Sequence, residues 1–310
     1  MPKLDMRLNN LVYPKSLKAK KFIRTELHRL TKSLWFIGTI LILANLVLCY
    51  KTYDVKSQFP TFSLTLIDSL RLFNPVSTMT LDTDGGILLL EVSGTKILKT
   101  ASNLKIIDSI ILPQKIFYPK GISADEFFIY IYNDNNFYRF DRKNYTLKPI
   151  YSGLRPEGMA VVNANEVYLA DPQNNRIIKV DATGMAKDFI KESAGRFSPT
   201  GLAYDNRNGT IWLINNQNQT IESYNRIGNL KARISIFNYT FSKIGLGEND
   251  CVYLIGKNGT VIWRIDRKGE FRIYQGTDKS NFVATDMLIS KERIYILDYQ
   301  NRLLAFKIPH

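Results

Sequence analysis

A unit of about 40 residues recurs through most of this 310-residue chain. Each unit opens with a turn, which often contains Pro and Gly, and continues with short segments in which apolar and polar residues alternate. The six starts are PVSTMTLD at Pro75, PKGIS at Pro119, PEGMA at Pro156, PTGLA at Pro199, KIGLG at Lys243 and ATDML at Ala284. Alternation with a period of two residues indicates β-strands. A sheet this small cannot bury its apolar face alone, so the units are expected to pack against one another.

Four short strands in about 40 residues is the pattern of a β-propeller blade, and six starts predict six blades. The sixth unit stops after its third strand, which would leave an unpaired strand edge. The segment TFSLTLIDSL (Thr61–Leu70) precedes the first unit and is strand-like. We therefore expect it to pair with the last blade as its fourth strand. The predicted fold class is all-β, a six-bladed β-propeller over residues 61–310.

One N-terminal transmembrane α-helix is expected to precede the propeller. Residues 34–50, LWFIGTILILANLVLCY, carry no charge, and as a helix they would be about 25 Å long. Trp35 and Tyr50 bracket the segment, where aromatic rings prefer the membrane interface. The alternatives are a buried core helix and a cleaved signal peptide. The 33 residues before the segment are long for a signal peptide, and no small-residue cleavage site follows it.

The charge before this segment predicts its orientation. Residues 1–33 hold nine Lys and Arg against two acidic residues, and such a basic flank stays in the cytoplasm. We expect a basic cytoplasmic tail (1–33), a signal anchor (34–50), a stalk (51–60) and an extracytoplasmic propeller. The protein would be a single-pass protein of the inner or plasma membrane with its propeller in the periplasm or outside the cell. The basic tail is either a surface helix on anionic lipid or a solvated tail.

One unit carries a family resemblance. PEGMAVVNANEVYLADPQNNRIIKVDATG, from Pro156 to Gly184, resembles an NHL repeat in its P-x-G-hydrophobic-A opening and its D-x-x-N-N-R turn. PTGLAYDNRNGTIWLINNQNQTIESYNRIG resembles it more loosely, and the other four units match in period and strand pattern. The resemblance implies a propeller of the NHL or TolB-like type. It does not imply a function, because this architecture serves enzymes, receptors and scaffolds.

The candidate ligand residues are those expected at the mouth of the central channel. Lys120, Glu157 and Thr200 each come directly before the glycine that recurs at the start of their units. In the sixth unit, Asp286 stands in the place of that glycine. Glu157 and Asp286 are also the candidate ligands of a calcium-like ion, although Lys120 nearby would repel a cation. We expect no cofactor.

Catalytic motifs are otherwise absent from the sequence. The only histidines are His28 and His310, so His-based metal sites and acid–base catalysis are excluded for the propeller core. This removes lyases of the amidating and streptogramin types, whereas gluconolactonase-like and strictosidine-synthase-like propellers stay possible on architecture. Asp171 and Asp298, at the ends of second strands, are either hairpin caps or catalytic carboxylates.

The leading hypothesis is a membrane-anchored binding or scaffold protein, a subunit or docking platform of a membrane protein complex. Its expected partners are the lipid bilayer and other proteins. Its net charge of +14 also suits an anionic lipid or glycan. Nucleic acid is not expected, because the propeller would be exported. The alternative is a membrane-tethered, metal-dependent hydrolase or lyase, and a third possibility is a sensor that signals through the basic tail.

Overall fold

The structure is a computed structural model that describes residues 59–192, 195–236, 239–248, 250–266, 268–277 and 280–309. These residues form 25 β-strands and one short 3₁₀ turn. Six four-stranded antiparallel units are arranged as the blades of a propeller. The all-β, six-bladed fold predicted from the repeats is therefore confirmed.

The strand bounds follow the repeat. Before the blades come β1 (Thr61–Ser63) and β2 (Thr65–Arg71). The strands of each blade are given from the innermost outwards. Blades 1 and 2 consist of β3 (Val76–Leu81), β4 (Ile87–Glu91), β5 (Lys96–Thr100) and β6 (Ile106–Ile111), and of β7 (Gly121–Ala124), β8 (Phe128–Tyr132), β9 (Asn136–Asp141) and β10 (Thr146–Ser152). Blades 3 and 4 consist of β11 (Gly158–Asn163), β12 (Glu166–Asp171), β13 (Arg176–Val180) and β14 (Ala186–Lys191), and of β15 (Pro199–Asp205), β16 (Thr210–Asn215), β17 (Thr220–Asn225) and β18 (Leu230–Ser235). Blades 5 and 6 consist of β19 (Phe241–Leu246), β20 (Val252–Gly256), β21 (Val261–Ile265) and β22 (Phe271–Gln275), and of β23 (Ala284–Ser290), β24 (Arg293–Asp298) and β25 (Arg302–Lys307).

The core lies between neighbouring blades. Second strands such as β4 and β12 are buried at every position, because both of their faces pack against apolar side chains. This explains why these segments read as continuous apolar runs rather than as alternating ones. Apolar clusters of the described residues join blades 1 and 2, 2 and 3, 3 and 4, 5 and 6, and 6 and 1. Each blade thus depends on its neighbours for burial, as the repeat pattern suggested.

The segment before blade 1 closes the ring. We expected one strand over Thr61–Leu70, and the structure instead has two, β1 and β2, separated by Leu64. β2 pairs antiparallel with β25 and so completes blade 6. β1 pairs in parallel with β22, which makes blade 5 five-stranded. Leu64 is fully buried in the cluster between blades 5 and 6, and its backbone N–H donates to the Gln275 carbonyl at 2.8 Å. The chain bends here because one buried residue anchors both strands.

Two acidic residues that end second strands act as turn caps. Asp171 accepts hydrogen bonds from Asn174 Nδ2 at 2.8 Å and Arg176 Nε at 3.0 Å. Asp298 Oδ1 accepts a hydrogen bond from the Arg302 backbone N–H at 2.9 Å, and Asp298 Oδ2 accepts one from Arg302 Nε at 2.8 Å. The DPQNNR sequence thereby folds into the 3₁₀ turn Pro172–Asn174. The contacts of Asp298 favour the capping interpretation over the catalytic one. Asp171 Oδ2 is held by side chains of its own turn, whereas its buried Oδ1 has no hydrogen-bond partner among the described residues.

The transmembrane segment expected at residues 34–50 lies outside the described residues. Among the residues that are described, no helix is long and apolar enough to cross a bilayer.

Leu64 is expected to contribute more to the free energy of unfolding than Ile67, a half-exposed residue three positions further along the chain. Replacing the fully buried Leu64 by Ala removes apolar contacts with two blades and is expected to cost about 2–4 kcal/mol of unfolding free energy. The matched control is Ile67→Ala on β2, which is half-exposed and should cost under about 1 kcal/mol. Chemical denaturation of both variants measures the difference. Equal costs would contradict the proposed closure role of Leu64.

The Glu166–Arg226 pair should make stability depend on pH. Arg226, in blade 4, hydrogen-bonds Glu166 in blade 3 and lowers the pKa of that carboxyl to about 2, against the opposing effect of burial. A lowered pKa stabilises the fold above the usual carboxylate range and loses that contribution as the pH falls towards 2. The stability advantage of wild type over Glu166→Gln should therefore shrink from about pH 6 to about pH 3. Glu126→Gln, which removes an exposed carboxylate, should show no such trend.

Candidate functional site

The central channel holds a cavity of about 310 Å³. All six innermost strands line it: β3, β7, β11, β15, β19 and β23. A cavity of this size suits a small molecule. The chemistry of the channel depends on which side chain each blade presents there.

Strand pairing corrects the alignment of the fifth unit. Thr78 pairs with Leu90 and Asp286 with Leu297, each next to the last residue of a second strand. In blade 5 the residue in that position is Lys243, which pairs with Ile255. The sequence alignment had placed Gly245 there, two residues too late. The same β-bulge precedes this position in blades 1, 5 and 6, so the three strands share one register.

The corrected alignment divides the channel into two unlike halves. Blades 5, 6 and 1 present Lys243, Asp286 and Thr78 to the cavity at equivalent positions, whereas the glycines Gly121, Gly158 and Gly201 line it in blades 2, 3 and 4. In blade 4 the residue at the paired position is Thr200, and Gly201 lies in the bulge that follows it. A Cβ on Gly158 would lie 2.7 Å from the Leu202 backbone nitrogen, so glycine lets blades 3 and 4 approach closely. Blades 5, 6 and 1 therefore supply polar side chains at these positions, whereas the glycines of blades 2, 3 and 4 allow close packing, and Glu157 adds a charge from blade 3.

Asp286 connects the three polar blades. Its Oδ2 accepts hydrogen bonds from Thr78 Oγ1 at 2.7 Å and from the Met79 backbone N–H at 2.9 Å. Its Oδ1 accepts the Met287 backbone N–H at 3.0 Å and lies 3.5 Å from Lys243 Nζ. The carboxylate is buried and is held by contacts to blades 1, 5 and 6. Such a group is rigid and positions the ammonium beside it.

Lys243 remains a cation in the channel. Burial alone would lower the pKa of its ammonium, but Asp286 and Tyr132 outweigh burial and raise the pKa above its usual value. A permanently protonated lysine is neither a base nor a nucleophile at neutral pH. It can bind an anion or stabilise negative charge that develops on an oxygen.

Tyr132 enters the same cavity from an unexpected place. It is the last residue of the second strand β8 and pairs with Gly121. A Cβ on Gly121 would lie 2.0 Å from Tyr132 Cε1, so the ring occupies the space that any other residue would fill. Burial raises the pKa of the Tyr132 hydroxyl; the Lys243 charge opposes this shift, and the Asp286 and Glu157 charges add to it. The hydroxyl stays protonated and can donate a hydrogen bond.

The residues expected at the channel mouth have different positions. Glu157 and Asp286 both line the cavity, and Glu157 is exposed. Lys120 is absent from the lining and pairs at the surface with Asp134, Nζ to Oδ1 at 2.5 Å. Thr200 is buried beside the channel, and its Oγ1 accepts a hydrogen bond from Asn216 Nδ2 at 2.9 Å. The two interfacial aromatics, Trp35 and Tyr50, lie outside the described residues.

The channel does not fit a calcium ion. Calcium takes six to eight oxygen ligands, with several carboxylates among them. Both Asp286 oxygens already accept hydrogen bonds, and an ammonium lies beside one of them. In the described part of the chain, no group of three or more His, Cys, Asp and Glu side chains is arranged to hold a metal.

Sequence reasoning missed Lys243 and Tyr132. Lys243 was missed because the sequence alignment of the fifth unit was wrong by two residues, which the pairing of Lys243 with Ile255 shows. Tyr132 had a weak signal, because a first-strand glycine opposite a second-strand aromatic marks a ring that folds over the glycine. That signal requires the register Gly121–Tyr132, and the register is visible only in the structure.

Gly121→Ala should displace the Tyr132 ring. The new methyl group has no room, so the variant should be destabilised by about 1–3 kcal/mol. Tyr132→Ala removes the obstacle, and the double variant should cost clearly less than the two single costs added together. Unfolding free energies of the four proteins complete the cycle. Additive costs would show that the ring does not occupy this space.

The comparisons with known proteins are consistent with the fold. No protein-family model matches the chain, and no curated protein matches its sequence. Among solved structures, virginiamycin B lyase from Staphylococcus aureus is 16% identical, with a TM-score of 0.59 over 80% of this chain and 94% of the lyase. A gluconolactonase from Xanthomonas campestris is 14% identical, with a TM-score of 0.58 over 78% of this chain and 89% of the other. Regucalcin, a calcium-binding protein from Agrobacterium tumefaciens, is 12% identical, with a TM-score of 0.57 over 80% and 95%. At these identities the likeness shows the six-bladed propeller fold alone.

Proposed function

We propose that the protein is a hydrolase or lyase that acts on a small polar molecule in the central channel, without a metal. The observation that carries the proposal is the cluster of Lys243, Tyr132, Asp286 and Glu157 around one cavity. Structural neighbours named as a lyase and a gluconolactonase give the enzyme class additional support. The substrate would carry a carbonyl group that faces Lys243.

The protonation states of Lys243 and Tyr132 determine the role that each side chain would have in the reaction. Lys243 is a fixed cation that would stabilise an oxyanion as it forms on the substrate carbonyl. Tyr132 keeps its proton and would donate a hydrogen bond to the same region. Asp286 would act as a positioning residue for Lys243, because all its contacts are to the protein. Glu157, which is exposed in the cavity, would be the base.

For hydrolysis of a small lactone, these roles combine into one sequence of steps. Glu157 accepts a proton from water, and the water oxygen attacks the carbonyl carbon. The oxygen of the former carbonyl becomes negative beside Lys243. Collapse of this intermediate breaks the ring C–O bond, and the leaving oxygen takes a proton from the protonated Glu157, while Tyr132 donates a hydrogen bond and keeps its proton. For a lyase reaction, Glu157 would remove a proton from the carbon next to the carbonyl, and the electron pair left behind would form a C=C bond as a substituent on the following carbon leaves.

The metal-dependent enzyme hypothesis and the scaffold hypothesis from the sequence can each be compared with this proposal. The metal-dependent form of the enzyme hypothesis is disfavoured by the occupied oxygens of Asp286. The scaffold hypothesis stays a prediction, and it is compatible with a channel that binds a ligand without reacting.

The test is turnover of a panel of small lactones and cyclic esters, followed with a pH indicator. Lys243→Met, which keeps most of the side-chain volume, should lower kcat/KM about 100-fold. Tyr132→Phe keeps the ring and should cost about tenfold or more. Lys115→Met, on an exposed loop, is the charge-matched control and should leave the rate unchanged. A metal chelator should also have no effect.

Wild-type turnover that Lys243→Met does not reduce would remove the channel from the reaction. If no compound on the panel reacts, thermal shifts with the same compounds separate the remaining cases. A shift that Lys243→Met abolishes would indicate a binding channel, as a receptor or scaffold requires. No turnover and no shift would overturn the proposal.

A further inference from the structure

Exposed apolar side chains are concentrated on one side of the propeller. Of the fifteen large apolar residues that are exposed in the described part of the chain, nine lie between residues 66 and 118. Six of them form what we term the apolar wall: Leu66, Ile67, Phe73, Ile106, Ile107 and Ile111. They lie on β2 and β6, the outermost strands of blades 6 and 1, and on the loop that follows β2.

The two strands belong to one continuous surface. A groove of about 480 Å³ runs between blades 6 and 1, and Arg71, Phe73, Ile106 and Ile107 line it. The loop after β6 also exposes Phe117 and Tyr118, which are 61% and 78% exposed, and the Phe117 carbonyl accepts a hydrogen bond from Asn133 Nδ2 of blade 2. Scattered exposed apolar residues are ordinary, whereas a contiguous group of them marks an interaction site.

The outer strands of other blades are built differently. β14 exposes Lys187, Asp188 and Lys191, and β18 exposes Lys231 and Arg233. Charges of this kind protect an unpaired strand edge from association. β6, with the sequence IIDSII, exposes three isoleucines instead. β6 keeps one exposed charge, Asp108, so its edge is less protected than the edges of β14 and β18, and we expect it to be covered in the working protein.

Cations surround the apolar wall. Arg71, Lys105 and Lys115 are exposed, Lys96 is half-buried, and none of the four forms an ion pair with another described residue. Lys115 Nζ lies 4.9 Å from the centre of the Phe117 ring. The acidic side chains on these strands, Asp68 and Asp108, each accept the backbone N–H of the following serine. Aromatic rings beside unpaired lysines are typical of a surface that contacts anionic lipid headgroups.

The sequence brings a bilayer within reach. The uncharged segment 34–50 ends nine residues before Phe59, and nine extended residues span at most about 30 Å. Leu66, the first residue of the apolar wall, follows only seven residues after Phe59. A partner in solution would have no such connection to this side of the propeller.

We infer that the apolar wall is a docking surface for an anionic lipid bilayer, and the inference rests on the prediction that residues 34–50 span that bilayer. The propeller would then lie on its side, with blades 6 and 1 against the lipid and blade 4 pointing away. The inference is independent of the proposed enzyme activity, because it uses none of the channel residues.

The experiment places the full-length chain in nanodiscs that hold one copy, made of phosphatidylethanolamine and phosphatidylglycerol with a nitroxide-labelled lipid. A fluorophore is attached at Ile107→Cys or, as the control, at Ile227→Cys, in a Cys49→Ser background in which the remaining thiol, Cys251, is buried. Ile227 is exposed and lies in blade 4, three blades away. Quenching at position 107 should exceed that at position 227 at least about twofold, and replacing phosphatidylglycerol by phosphatidylcholine should reduce it.

A second pair of variants separates docking from folding. With the label at Ile111→Cys, adding Ile106→Ser and Ile107→Ser should abolish the extra quenching while the melting temperature stays the same, because both side chains are exposed. Equal quenching at positions 107 and 227 would overturn the inference. So would a chain that does not float with vesicles of this composition. Protection of position 107 that appears only when several copies share a vesicle would identify the occupant as a second copy and would also overturn it.

Discussion

Closure of the ring is the constraint on which the rest of the structure depends. Blade 6 has only three strands of its own, and β2 supplies the fourth from the other end of the propeller sequence. Leu64 fixes this joint between blades 5 and 6. Without closure the innermost strands would not converge on one axis, and Lys243, Asp286 and Thr78 would not meet. The same strand that closes the ring also carries Leu66 and Ile67, so one segment serves both the fold and the apolar wall.

Asp286 shows how a repeat fold acquires an asymmetric site. Blades 5, 6 and 1 contribute Lys243, Asp286 and Thr78 to the cavity, whereas blades 2, 3 and 4 contribute glycines. The Asp286 carboxylate joins blades 5, 6 and 1 through contacts that the described residues of the other three blades do not make. Gly121 makes room for the Tyr132 ring, and Gly158 lets blades 3 and 4 approach closely. The charged and hydrogen-bonding groups of the cavity are therefore distributed unevenly around the channel.

The fold was predictable from the sequence because it depends on patterns of many residues. Period, alternation and turn chemistry together indicated six blades, and the errors of single residues averaged out. The site was less accessible, because it depends on register. Glu157 and Asp286 line the cavity, whereas Lys120 pairs with Asp134 and Thr200 accepts a hydrogen bond from Asn216. A two-residue error in unit five hid Lys243, because the alignment matched Gly245 to the glycines of the other units, whereas strand pairing puts Lys243 at that position.

The charge state of Lys243 connects these observations to function. A structural ion pair at a blade junction could equally be replaced by apolar packing, which is often as stable. Here the pair borders a cavity, its lysine retains donors that Asp286 does not use, and a protonated phenol lies in the same cavity. Asp286 is saturated by protein contacts, whereas Lys243 and Tyr132 are not. An arrangement that satisfies Asp286 and leaves the donors of Lys243 and Tyr132 available is suited to receive a carbonyl or carboxylate oxygen.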